Sequence, residues 1–522
     1  MITRQKLNAL AAERILILDG AMGSVIRSFN LGEADFRGSR FADHKGPLAG
    51  CNDLLCLTKP ELISGIHEAY LEAGADIIET CSFNTTSVSL ADYSIGDLAY
   101  EISVAAARLA RRAADAFSSP AKPRFVAGSM GPTSKSAGIP QDIADPAKRG
   151  ITWDELTAAY YDNARGLLDG GADILLVETI FDTLNAKAAI FAITRLMEER
   201  QSTEIPVIIS ATVSTGGRLL TGQTLEDFCV SVSHIKPWAV GLNCSFGAEL
   251  LKPHIRTLAS FVPCLVSAYP NAGMPDRNGE YAETPESMAA VLTEYMREGL
   301  VNIVGGCCGS RPDHIAAIAA TAKNFSPRPV RANTEQSLCS GNKLLLVTRE
   351  GGSPVIGQLI NTVENDLFAQ SVEVGDYDSA VELVREMIEN GEGILNICVD
   401  GIRGDAKTAM TGFLTLALSY PDIAGTPIML ESAHWEVIEA GLKCLPGKGI
   451  VNSLSPTEEP GEFRRKARLI RRFGAAVLIR TGKIPRQDSP EPGKTEVALR
   501  ARTLLMEEGF FPEDIIFDAV VP

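Results

Sequence analysis

The stretch ITWDELTAAYYDNARGLLDGGADILLVET, residues 151–179, contains one complete helix-to-strand unit. Thr152 stands where a helix N-cap is wanted, and Glu155 three residues on completes a capping box. Gly170 is expected to end the helix. ADILLVET then runs apolar on successive residues instead of alternating, which is the habit of a parallel strand buried on both faces.

Seven further runs of this kind flank it: ILILD at 15–19, ADIIET at 75–80, RFVAGS at 124–129, PVIISATV at 206–213, AVGLNCS at 239–245, CLVSAYP at 264–270 and VNIVGGCC at 301–308. Helix-like segments separate most of them, such as KPELISGIHEAYLEAG with Thr58 and Glu61 as cap and partner and Gly74 as stop. Eight alternations over about 320 residues predict a (β/α)8 barrel with insertions. An open dinucleotide-binding sheet would need GxGxxG after the first strand, and DGAMGS does not supply it.

Composition narrows the function. The 522 residues are 45% hydrophobic and 22% charged, with 49 basic against 65 acidic side chains and a net charge of −16. Mean hydropathy is +0.07 and the pI about 5.0. An acidic chain lacks the basic excess that a phosphate backbone demands, so nucleic acid is not an expected partner. No run of 18 apolar residues and no signal-peptide order occur, so no membrane role and a cytoplasmic location are expected. Eleven cysteines, an odd number spread thinly, read as reduced thiols instead of a disulfide framework.

Barrel chemistry belongs where strands end and loops begin. Asp19, Glu79, Glu178, Asn243, Cys244, Cys307 and Cys308 stand at such ends. Cys229 and Cys264 read as small core hydrophobes. A Cys-Cys pair between glycines is different, because neighbouring strand residues point apart while GGCCG lets the backbone bend and turn both sulfurs one way. With Cys244 as third ligand the pair would make a three-thiolate zinc site open to a substrate ligand. From spacing alone, a redox-active or merely buried cluster remains an equal alternative. His67 and His314 fall in helical patterns and read as surface or packing residues.

LDGAMGS at 18–24, GCNDLL at 50–55, IHEAYLEAGADIIET at 66–80, GLNCS at 241–245 and GGCCG at 305–309 resemble the homocysteine S-methyltransferase family. The stretch from Asp35 to Tyr93 is more similar to its cobalamin-dependent methionine synthases than to the betaine or S-methylmethionine enzymes. The resemblance implies zinc on Cys244, Cys307 and Cys308, L-homocysteine as substrate and methionine as product. It further implies acidic residues at the Asp19 and Glu178 positions for the substrate ammonium, with Asn243 donating to substrate or orienting its loop. Where the family reads TNTF, this chain has Thr80, Cys81, Ser82 and Phe83, so Cys81 is either a simple replacement or an alternative ligand able to oxidise with Cys308.

A Pro-, Ser- and Asn-rich stretch then reads as a linker, dividing the chain into a barrel at 1–325, the linker at 326–342 and a second α/β module at 343–522. KLLLVT, GILNICV, PIMLES, KGIVNS, AAVLIR and DIIFDAVV supply six strands, too few to close an eight-stranded barrel. The module resembles a pterin-binding methyltetrahydrofolate domain, with worn ligand motifs. TREGGSP is set against GERTN; Asn396, Cys398 and Asp400 stand for D-x-N-x-D; Glu431 and Ser432 stand for Asp-Ser. Asp400 and Asn452 survive as a residual pterin site, so folate binding is expected to be weak or absent, with a structural platform as the alternative. No corrinoid-ligating D-x-H-x-x-G occurs, and methylcobalamin would have to arrive on a separate corrinoid protein. A small donor such as S-methylmethionine, and a non-catalytic scaffold with structural zinc, are the competing readings.

Overall fold

The computed structural model describes residues 4–202, 205–330, 336–340, 344–347, 359–361, 365–389, 393–456, 458–480 and 494–518. Its first sheet holds eight parallel strands: β1 (Leu16–Ile17), β2 (Ile77–Glu79), β3 (Phe125–Met130), β4 (Ile174–Ile180), β5 (Val207–Ala211), β6 (Ala239–Gly247), β7 (Leu265–Asn271) and β8 (Ile303–Val304). Each of the eight coincides with one of the runs read as strands; β3, β4 and β7 extend one residue beyond their runs and β6 two. They are ordered β1-β8-β7-β6-β5-β4-β3-β2, and the ring closes through a bridge between Leu18 and Ile77. Inside it, Leu16, Leu18, Ile77, Phe125, Leu176 and Ile303 pack as one buried cluster, floored by Leu7 and Ala11 of the helix Arg4–Glu13. An interior filled this way is a core, so the chemistry is left to the βα loops.

Local signals behaved as their chemistry dictates, with two corrections. Thr152 and Glu155 form the reciprocal capping box, but the left-handed residue closing that helix is Gly171 (φ 104), one beyond Gly170. Thr58 does not cap the following helix. It ends a short helical turn (Leu55–Thr58), and Pro60 takes the first position of Pro60–Ala73, where its missing N–H costs nothing. Both histidines are fully packed, His67 at 0% and His314 at 1% exposure, so neither is a surface residue.

The second sheet has six parallel strands in sequential order: β11 (Leu359–Asn361), β12 (Leu395–Cys398), β13 (Ile428–Glu431), β14 (Ile450–Leu454), β15 (Ala476–Arg480) and β16 (Ile515–Asp518). Six strands and an incomplete barrel match expectation, but the first member differs. The KLLLVT run forms β10 (Leu344–Val347), which pairs antiparallel with β9 (Gln336–Ser340) inside the stretch read as linker. The sheet opens instead on β11, and TREGGSP at 348–354 lies outside the described residues.

The two sheets are joined by a dense contact. Trp153, Phe191 and Phe473 stack at centroid distances of 4.8 to 5.8 Å. Arg471 and Arg472 grip the two oxygens of Glu198 at 3.0 and 2.5 Å. Lys187, only 2% exposed, donates at 2.8 Å to the carbonyls of both Leu445 and Gly447. Burial, aided by the charge of Lys448, brings its ammonium down to about 7. A neutral amine still has two N–H groups for the two carbonyls, so the contact survives deprotonation. No helix among the described residues is long and apolar enough to cross a membrane.

Replacing Lys187 by Met leaves two buried carbonyls without a donor, and we expect a loss of roughly 1–3 kcal/mol in urea unfolding. Because the folded state releases this proton near pH 7 and the unfolded chain only near 10.4, Lys187 makes wild-type stability rise across that window. The Met variant should lack that rise.

Candidate metal centre and substrate cavity

Three loops build the site. After β8 the GGCCG segment turns inward: Cys307 N–H donates to Pro270 O at 2.7 Å, Gly306 N–H to Asp19 O at 3.1 Å, and Cys308 O accepts from Ala272 N–H at 2.9 Å. It is thereby tied to the ends of both β7 and β1. Gly309 has φ +81, and a β-carbon there would lie 2.3 Å from Tyr281, so glycine is required.

Cys244 arrives from β6 through a break in strand register between Cys244 and Gly247. Cys244 and Ser245 take left-handed backbone at φ 54 and 59. Thr179, a β-branched residue for which this region is a genuine outlier, has φ 56 at a similar break in β4. Asn243 joins the two bulges: its Oδ1 accepts from Thr179 N–H at 3.1 Å and Ser210 Oγ at 2.7 Å, and its Nδ2 donates to Thr179 Oγ1 at 2.8 Å. Strain of this kind persists only where surrounding bonds over-determine it, and it gathers at functional sites.

The outcome is a sulfur cluster. The Sγ atoms of Cys244, Cys307 and Cys308 all lie within 4.8 Å of one another, with Cys244 and Cys308 at 3.8 Å. The Cys244 and Cys307 thiols hydrogen-bond toward Cys308 and hold its thiol well below the usual range, while their own are pushed up. The Tyr281 hydroxyl also bonds Cys308. Asn271, between Pro270 and Ala272, is buried with Oδ1 lacking a hydrogen-bond partner.

Beside the sulfurs lies a cavity of about 680 Å³ that includes Glu79, Glu178, Tyr269 and Phe83 in its wall. Glu178 accepts from Ser129 Oγ at 2.5 Å and has no basic partner among the described residues, and burial brings its carboxyl up to about 7. Burial also raises Glu79, with the charges of Glu178 and Asp19 adding to the effect. Asp19 sits behind the wall at 2% exposure, its Oδ2 on Glu79 N–H at 3.0 Å and its Oδ1 without a partner. Three carboxyl groups thus share one buried place, with no basic side chain paired to them among the described residues.

Of the residues singled out in the sequence, Cys244, Cys307, Cys308, Glu178 and Asp19 converge here. Asn243 does not line the cavity; besides the bonds that join the two bulges, its Nδ2 meets Cys307 Sγ at 4.0 Å. Cys81 is in the wall but outside the sulfur group; its Sγ is turned to Asn52 O at 3.7 Å, near Cys56. Glu79 stood among the strand-end residues without a role. Thr179, Asn271 and Tyr281 went unread, because no spacing rule marks a left-handed threonine, and Tyr281 reaches Cys308 from a different loop. In the second module, Asp400 accepts from Ser432 Oγ at 2.6 Å and Ala433 N–H at 2.7 Å, and Asn452 Nδ2 donates to Glu431 at 2.9 Å.

Residues 16–322 match the homocysteine S-methyltransferase profile, more than half of the chain, and the protein belongs to that family. Residues 357–521 match the profile of pterin binding enzymes. Among solved structures, the chain is similar to the homocysteine methyltransferase MmuM of Escherichia coli. The oxidized form is 23% identical over 59% of this chain and 95% of that one, TM-score 0.45. The metallated form is 23% identical over 60% and 98%, also at TM-score 0.45.

Asn243→Ala should unfasten the bulges at β4 and β6. We expect a stability loss of about 1–3 kcal/mol by denaturant titration, together with weaker metal retention in a chelator competition.

Proposed function

We propose that this protein transfers a methyl group to the thiol of L-homocysteine, giving methionine, with zinc held by Cys244, Cys307 and Cys308. The observation that carries the reading is the meeting in one cavity of three sulfurs with Glu79 and Glu178, which have no basic partner among the described residues. The donor set fits zinc: three convergent thiols, one already favoured as thiolate, with the unpartnered Asn271 Oδ1 in the adjoining segment. Bound zinc would supply the Lewis acidity that keeps the substrate sulfur a nucleophilic thiolate at neutral pH.

The chain's own residues do the rest. Glu178, with Glu79 and Asp19 behind it, takes the substrate ammonium and so fixes the direction in which the sulfur points. Asn243 and Thr179 hold Glu178 and Cys244 in a fixed relation. Strand ends packed on a filled barrel core keep that geometry from relaxing.

For the donor we favour methylcobalamin on a separate corrinoid protein. Phe29, Ile143, Leu220 and Met274 are each at least half exposed, and they stand on four different βα connections of the barrel. A rim of apolar side chains suits a protein partner, whereas S-methylmethionine would need only the cavity. Transfer assays with each donor decide between them. Domains at 1–325 and 343–522 joined through 326–342 belong to the same reading. Ten free cysteines among the described residues accord with a reducing, cytoplasmic setting.

Cys308→Ala should abolish stoichiometric zinc and methyl transfer together; zinc retained at one per chain would show the ligand set to be wrong. A cobalt-substituted protein whose spectrum ignores homocysteine would support the scaffold reading instead. Because Glu178 must be ionised to hold an ammonium, KM for homocysteine should rise as pH falls through about 7. Glu178→Gln should flatten that profile while raising KM.

A further inference from the structure

Four neighbouring strands of the second sheet carry polar side chains that meet one another. Asn396 and Asn452 are buried at 0% and 3% exposure, on β12 and β14. Both send Nδ2 to one oxygen of Glu431, Oε2, at 2.5 and 2.9 Å. The other oxygen, Oε1, accepts from Arg480 Nη2 at 2.7 Å. Glu431 is therefore fully engaged from within the chain, by two amides on one side and a guanidinium on the other. Asn452 Oδ1 is left buried without a partner.

A carboxylate set between two amides is complementary to a planar N–C–N donor edge, because two parallel N–H groups can meet its two oxygens. The pyrimidine edge of a pterin has that array, and so has the guanidinium of arginine. We propose that Arg480 stands in, intramolecularly, for the guanidine-like edge of a heterocyclic ligand, so that the site of the second module is self-occupied. A free pterin gains access only when the Glu431–Arg480 pair opens.

The supporting detail is stereochemical. The carboxylate of Glu431 on β13 reaches past β14 to Arg480 at the end of β15. The Arg480 side chain is 47% exposed while that of Glu431 is 19% exposed, so the guanidinium closes the set from the solvent side. The second carboxylate of the region, Asp400, is also spent, on Ser432 and Ala433. Cys398, buried at 4%, adds no amide to replace these groups. The inference does not depend on the methyl-transfer reading, since the first barrel contributes nothing to it.

Titration calorimetry of the full chain with pterin and with methyltetrahydrofolate tests it. Wild type should give no saturable binding below about 1 mM, and Arg480→Met, which keeps the aliphatic stem, should bind pterin at least about tenfold more tightly. Arg480→Lys retains the charge but loses the planar fork, and it should fall between the two. Thermal unfolding identifies any variant that does not fold, and if the Met form fails, the Lys form must still bind more tightly than wild type. Micromolar binding by wild type would overturn the proposal, as would folded variants no tighter than wild type.

Discussion

Three sulfurs within 4.8 Å of one another, beside three buried carboxyl groups whose ionisation burial opposes, form a polar group that the surrounding structure must hold together. The rest of the first barrel can be understood from that constraint. Adjacent cysteines on a regular strand would diverge, so the chain leaves regular geometry at GGCCG and ties the segment back to β1 and β7 through its own backbone. Cys244 likewise leaves β6 on left-handed residues, and Asn243 fastens that departure to Thr179 on β4. Strand ends on a packed barrel tolerate such strain because the core beneath them does not yield.

The second module meets the barrel through side chains that serve packing and not chemistry. An aromatic trio, an arginine pair on Glu198 and the buried Lys187 bind it to the outer helices. Its own polar set lies at the C-terminal ends of its strands, whereas Lys187 meets the loop preceding β14. On its strands Asn396, Asn452 and Arg480 all pair with Glu431. Burying polar groups without partners is costly, so a ligand site that loses its ligand is expected to satisfy itself or to be replaced.

How much was legible beforehand differs between the two halves for a physical reason. A parallel strand buried on both faces writes its burial into consecutive residues, so eight runs could be read as eight strands. The run at Leu344–Val347 is as apolar as any of these, yet it pairs in a hairpin, since apolar strength says nothing about which neighbour a strand finds. The weaker LIN segment at Leu359–Asn361 opens the sheet instead. Cap signals were right where a side chain makes the bond, as at Thr152, and wrong where Pro60 dictated the helix start.

The sequence by itself determined the barrel, the three cysteines and the acidic strand ends, because each depends on residue type at a position the period of the fold already specifies. Only the tertiary structure decided that Asn243 ties β4 to β6, that Cys81 turns to Asn52, that Tyr281 reaches Cys308, and that Arg480 pairs with Glu431. Those outcomes depend on which loops cross and which polar atoms find partners within about 3 Å, and such pairings join residues far apart in the chain that no local pattern connects.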